Sequence, residues 1–252
     1  VYKRQVDTQG LVVDERLGDC QLLYVTPSHQ SPTTVTMPMA RRHALLEQAR
    51  RTGALIIEDD YESEFNYSGT PLPALKSLDT EGRVIYVGSL SKTIAPGLRM
   101  GFIAAPTALI GELRSLRRLM IRYPAANNQH SLALFLARGY HDALISNLLA
   151  AYRGRHAAML KALADSLPSC TPSPSQGGSS FWMRGPDDLD ATALARRAAE
   201  LGVLIEPGDI YFQQDNPPMN YFRLGFSAID AADVLPGIAQ LAEALDRRTN
   251  IA

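Results

Sequence analysis

The sequence holds only two cysteines, Cys20 and Cys170, among 252 residues. They supply neither a disulfide framework nor a metal-ligand spacing, and a reducing compartment is the expectation. The five histidines, at 29, 43, 130, 141 and 156, show no i, i+4 ligand pairing, which argues against a metal site. Charge of one sign is also missing. The 25 basic and 26 acidic residues leave a net charge of −1, without the basic surplus of a nucleic-acid-binding domain. The Arg-Arg pairs at 41–42, 50–51, 117–118, 196–197 and 247–248 read as solvated helix faces. No apolar run approaches the length of a membrane span, and the opening Val-Tyr-Lys-Arg-Gln does not look like a signal peptide. Internal repeats and low-complexity tracts are absent. The chain opens on Val1 rather than Met, so a longer parent product is expected.

What is present suits a globular α/β protein. The hydrophobic fraction of 46% is enough for a sizeable core. Cys20–Val25, Ala54–Ile57, Val84–Val87 and Gly101–Ala105 are short apolar runs that read as strands. Thr36 is placed to cap a helix with Leu45, Leu46 and Ala49 on its apolar face, ended by Gly53. Strands alternating with helices predict a mostly parallel sheet. Helical spacing then dominates over 106–121, 128–137 and 140–167. The Pro-, Ser- and Gly-rich stretch 171–178 reads as a turn or hinge. Beyond it the pattern restarts as a smaller α/β unit, with strands at 180–184, 203–205 and 221–226 and a helix at 191–201. A closing helix carries Val234, Ile238, Leu241 and Leu245 on one face, with Asp233 as its expected cap.

Two runs carry chemistry. Ser89-Leu90-Ser91-Lys92-Thr93-Ile94-Ala95-Pro96-Gly97-Leu98-Arg99 places an amine between hydroxyls and follows it with a guanidinium. An amine, hydroxyls and a planar cationic fork are what holding a phosphorylated aldehyde requires. For Lys92 to react, part of it must be neutral; burial and a nearby cation, with Arg99 contributing, are the expected means. The second run, Ile57-Glu58-Asp59-Asp60-Tyr61, follows a strand at its carboxyl end, where open α/β sheets place ligand sites. Adjacent side chains of an extended segment point opposite ways, so only one of Asp59 and Asp60 faces the site. Asp59 is preferred because Tyr61 then lies on its side. Arg223, inside the apolar run Tyr221–Phe226, reads as a buried arginine that wants an anionic partner, here a ligand carboxylate.

These motifs, with Tyr24-Val-Thr-Pro-Ser-His-Gln-Ser-Pro-Thr-Thr and Pro71-Leu-Pro-Ala-Leu-Lys-Ser-Leu-Asp, resemble one branch of the fold-type-I pyridoxal-phosphate (PLP) superfamily. That branch is the MocR-type subfamily of GntR transcriptional regulators, aminotransferase-like chains joined behind a winged helix-turn-helix. The resemblance runs from about Val6 to about Leu245. It implies PLP as cofactor, Lys92 as the imine lysine and Asp59 at the pyridine nitrogen. It implies Tyr61 at the ring oxygen and Ser89 with Arg99 at the phosphate; the hydroxyl of Ser91 makes it a further phosphate candidate by its chemistry. It implies Arg223 at the carboxylate of an amino acid or amine effector. A homodimer, a cytoplasmic location and DNA contact only through an upstream domain are further implications. The implied division is residues 1–138 as part of a large cofactor-binding domain, 139–170 as a connecting helix and 171–252 as a small domain. A class I/II aminotransferase that passes an amino group to a 2-oxo acid is the alternative. The chain departs from plain aminotransferases where Ser31-Pro32-Thr33-Thr34 replaces Asn-Pro-Thr-Gly, leaving His29 or Gln30 as candidates for the lost ring-oxygen contact. The family's upstream phosphate loop and ring-stacking aromatic are not in the sequence, and weakened or absent PLP binding is expected of these residues alone.

Overall fold

The computed structural model describes residues 4–67 and 71–247. The chain divides into two compact units. One comprises Arg4–Gln30 and Thr36–Leu149; the other comprises Ser31–Val35 and the chain from Ala150 onward.

In the first unit, β1 (Val6–Asp7) and β2 (Gly10–Leu11) form a small antiparallel hairpin. The main sheet has the order β3 (Leu22–Val25), β4 (Leu55–Asp60), β5 (Val84–Ser89) and β6 (Gly101–Ala104). β3, β4 and β5 are parallel, as the alternation of elements predicts, and β6 returns antiparallel along β5. The crossover between β3 and β4 is α1 (Met39–Thr52). It ends at Gly53, whose φ of 78° lies in the left-handed region and whose N–H reaches the Ala49 carbonyl. Leu45 and Ala49 of α1 pack with Leu17, Leu23, Val25, Met37, Ile56, Leu75 and Val84 into one buried cluster. Thr36 does not cap α1: its hydroxyl donates to the Ser28 carbonyl at 2.9 Å, and the helix starts three residues later.

Arg42 corrects the reading of the Arg-Arg pairs. It is fully buried on the apolar face of α1, in step with Leu45 and Ala49. Its guanidinium donates to the carbonyls of Met37 (2.9 Å), Pro27 (3.0 Å) and Pro73 (3.0 Å) and lies 4.0 Å from Glu58. Glu58, also buried, accepts the N–H groups of Leu75 and Lys76 at 2.7 and 2.8 Å. It thereby caps the short helix α2 (Leu75–Leu78) from a distant strand. Helices α3 (Thr107–Ile121) and α4 (Ala126–Ala137) bury none of their residues.

Helix α5 (Tyr140–Ser166) runs past the division between the units and buries Tyr152, Met159, Ala162 and Leu163. The second unit holds an antiparallel sheet of order β7 (Thr171–Pro172), β8 (Ser180–Arg184), β10 (Tyr221–Gly225) and β9 (Glu206–Pro207). The apolar run 203–205, read as a strand, stays unpaired; Glu206 and Pro207 make the ladder instead. α6 (Ala191–Glu200) is capped by Asp190, which accepts the Ala193 N–H. α7 (Ala231–Asp246) begins after Asp230, so Asp233 falls inside the first turn rather than at the cap. Its expected face is buried: Val234, Ile238, Leu241 and Leu245. Thr34 stands where plain aminotransferases have glycine and still takes a left-handed φ of 61°. Among the described residues no helix is long and apolar enough to cross a membrane.

Candidate functional site

Parallel pairing brings the two chemical runs together at the carboxyl ends of β4 and β5. The register sets Asp59 opposite Val87 and Asp60 opposite Gly88. Tyr61 and Ser89 therefore leave the sheet side by side. Burial alternates along β4: Ile56, Glu58 and Asp60 are buried, while Ile57 and Asp59 are half-buried on the other face. This is the two-sided arrangement the sequence predicts for the adjacent aspartates.

Asp60, on the buried side, accepts the Tyr86 hydroxyl at 2.9 Å. Burial and the Asp60 charge together push the Tyr86 phenol up, so it stays a donor. Asp59, on the open side, accepts a hydrogen bond from the Tyr24 hydroxyl. Burial, then the bond to Asp59, pushes the Tyr24 pKa up to about 12. Nothing in the composition of β3 marks Tyr24 as a partner of Asp59. Its phase does, because Tyr24 pairs with Ile57 and shares that residue's face.

Tyr61 donates to the backbone carbonyl of His29 at 2.9 Å. The His29 imidazole is buried, and neither ring nitrogen has a hydrogen-bond partner among the described residues. Burial is the main reason its pKa falls from 6.5 to about 4, so the ring is neutral. Lys92 departs from the expectation of a desolvated amine beside a cation. Its side chain is 52% exposed, and the charged group near its Nζ is the buried Glu62 carboxylate, at 3.9 Å. Ser89 Oγ accepts the Ser91 N–H at a long 3.4 Å. Arg99 is exposed at the end of a 3-10 turn (Pro96–Leu98), with a left-handed φ of 50°. A non-glycine residue held there is uncommon, and the backbone angle sets the direction of its Cα–Cβ bond.

Arg223 lies in the second unit, on β10. It is partly exposed rather than buried, and its anionic partner is internal. Its Nη1 donates to Glu206 Oε2 at 3.1 Å and its Nε to Ser180 Oγ at 3.0 Å. Tyr211 holds the other Glu206 oxygen at 2.7 Å. The sequence reading missed Glu206; strand phase was its only signal, since β9 pairs Glu206 directly with Arg223.

Comparison with known proteins gives the family. The family described as aminotransferase class I and II matches residues 5–241. The HTH-type transcriptional regulator TauR of Rhodobacter capsulatus is 43% identical over 245 residues, which is 97% of this chain and 51% of TauR. The probable rhizopine catabolism regulatory protein MocR of Rhizobium meliloti is 34% identical over 92% of this chain and 47% of its own length. The chain thus spans about half the length of these regulators. The α-aminoadipate aminotransferase LysN of Thermus thermophilus, solved with N-(5'-phosphopyridoxyl)-L-leucine, superposes with a TM-score of 0.91 at 29% identity, over 99% of this chain and 66% of its own. Kynurenine aminotransferase of Pyrococcus horikoshii gives a TM-score of 0.89 at 31% identity, over 96% and 63%. The chain belongs to the aminotransferase class I and II family, of fold type I, and its sequence is that of a MocR-type aminotransferase-like region.

Proposed function

We propose that this chain is the PLP-holding, ligand-sensing region of a transcriptional regulator, and that its ligand is an amino acid or amine. The observation that carries the reading is the convergence of Asp59, Tyr61, Ser89 and the Lys92 run on two adjacent parallel strand ends. The donor set fits the cofactor: an amine, an anion on the open sheet face, a phenol, and hydroxyls followed by a guanidinium. PLP would supply an electron-withdrawing ring and an aldehyde that condenses with primary amines.

The chain's own residues then divide the work. Lys92 would hold the cofactor through its Nζ amine, and its exposed side chain leaves room for the amine of an incoming ligand. Asp59 would be the anionic partner of the ring nitrogen, and the Tyr24 phenol orients the Asp59 carboxylate. Tyr61 would stand at the ring oxygen, where its hydroxyl would donate after turning from the His29 carbonyl that it donates to in this structure. Ser89, Ser91 and Arg99 would hold the phosphate, Arg99 through its planar fork. Arg223 receives the ligand carboxylate. Likeness to helix-turn-helix regulators supports reading the ligand as an effector and the regulated DNA as the business of another domain.

Likeness to solved aminotransferases supports a second reading, transfer of the ligand's amino group to a 2-oxo acid. Sustained release of a 2-oxo acid over many turnovers favours transfer; stoichiometric ligand exchange without turnover favours sensing. The lysine assignment has its own test. Lys92→Ala in the PLP-loaded protein is expected to abolish the visible absorbance band that borohydride removes, while Lys161→Ala on α5 leaves it. Survival of the band in Lys92→Ala removes Lys92 from the site.

A further inference from the structure

Arg223 already holds a carboxylate. A guanidinium carries five N–H donors in a fixed fork. Here the Nε donor is taken by Ser180 and one Nη1 donor by Glu206, and Nη2 has no partner among the described residues. Glu206 does not hang loosely. β9 sets it directly across from Arg223 in the ladder, and the Tyr211 hydroxyl fixes its second oxygen. The Tyr211 phenol is pushed up by burial first and by Glu206 second, so it remains a donor. The anion receptor of this unit therefore has an internal occupant, held in register by a strand and by the loop that follows it.

We propose that Glu206 is a specificity-determining residue of the Arg223 subsite, a built-in carboxylate that competes with the ligand's carboxylate and limits binding to ligands that outcompete it. The proposal rests on the reading of Arg223 as the receiver of a ligand carboxylate. Two effects act in the same direction. Glu206 occupies one Nη1 donor, and its charge offsets the field that attracts an anion. A compact amino acid with one carboxylate still finds the Nη2 side of the fork. A ligand with no carboxylate gains nothing from Arg223 and is indifferent to Glu206. The subsite thus reads the presence of a carboxylate while holding the affinity down, which keeps occupancy responsive to ligand concentration.

The test is calorimetric titration of the PLP-loaded protein with alanine and, as the carboxylate-free control, ethylamine. Glu206→Gln keeps the shape and an acceptor for Tyr211, and Glu206→Ala removes both. Each is expected to bind alanine about two- to fivefold more tightly than the parent, the range that a partly exposed ion pair supports. Ethylamine affinity is expected to stay unchanged. Unchanged or weaker alanine binding in both variants, with unfolding midpoints held, overturns the proposal and makes Glu206 a structural prop for Arg223. Arg223→Ala is the separate control on the underlying reading. If it leaves alanine and ethylamine equally affected, Arg223 is not the carboxylate receiver, whatever Glu206 does.

Discussion

At the scale of single residues, burial decides which groups act as bases and which as props. His29 is the clearest case. Its ring is enclosed beside Arg42 and Glu62, and its pKa drops from 6.5 to about 4. The unfolded chain takes up this proton below about pH 6.5, and the folded protein resists until about pH 4. The unfolded state therefore binds more protons in that window, and stability falls as pH falls through it. The full window is worth about 3 kcal/mol at most. Glu58 and Glu64, whose pKa values burial raises, slope the opposite way. The difference between parent and His29→Phe isolates the histidine. Denaturant unfolding at pH 7 and pH 4.5 is expected to show the parent losing more stability than His29→Phe; equal losses would assign the imidazole to solvent.

At the scale of elements, the sequence is legible where one signal suffices and misleading where two compete. The Asp59–Asp60 alternation needs only spacing, and the pair lies at the carboxyl end of β4, beside the β5 end that leads into the Lys92 run. α1 and α7 bury the apolar faces their periods predict. The Arg-Arg pattern predicts a solvated Arg42, but Arg42, Leu45 and Ala49 share one buried helix face, and phase outweighs charge. Val203–Ile205 looked more strand-like than Glu206-Pro207, yet β10 chooses its partner by register, not by apolarity. Asp230 and Asp233 sit one helical turn apart and both suit a helix start, so composition alone does not choose between them. The Tyr24–Asp59 and Glu206–Arg223 contacts cross between strands: phase marks the faces, and the pairing register, which the sequence does not state, brings the partners together. Arg42 also gives an element-scale prediction. Arg42→Met keeps much of the buried volume but leaves the carbonyls of Met37, Pro27 and Pro73 without their donor and Glu58 without its nearby cation. Loss of one member of a buried charged network costs about 3–5 kcal/mol. Arg50→Met, on the exposed face of the same helix, is expected to cost under about 0.5 kcal/mol. Similar midpoint shifts for the two variants in urea would contradict the assigned role of Arg42.

At the scale of the whole molecule, the two units treat their apolar surface differently. In the second, β8 and the inner face of α7 put Phe181, Trp182, Met183, Val234, Ile238 and Leu241 in the interior, and the exposed Leu204, Ile210 and Leu235 stand on separate segments. In the first, β6 is exposed along its length, and α3 ends in Leu119 and Met120, which are 84% and 80% exposed, beside the exposed Ile121. Exposed apolar groups clustered on one element mark a surface that something covers. Covering two or three such side chains contributes on the order of 5 kcal/mol. Bringing two chains together costs about 4–15 kcal/mol in lost freedom. The balance is close, so these 252 residues by themselves are expected to associate weakly and in a concentration-dependent way. Sedimentation velocity over a hundredfold concentration range reads this directly. Leu119→Lys with Met120→Lys places two like charges on the same helix end and is expected to shift the distribution towards monomer without moving the unfolding midpoint. A parent chain that stays monomeric throughout would show that the exposed end of α3 contributes too little to overcome the cost of association.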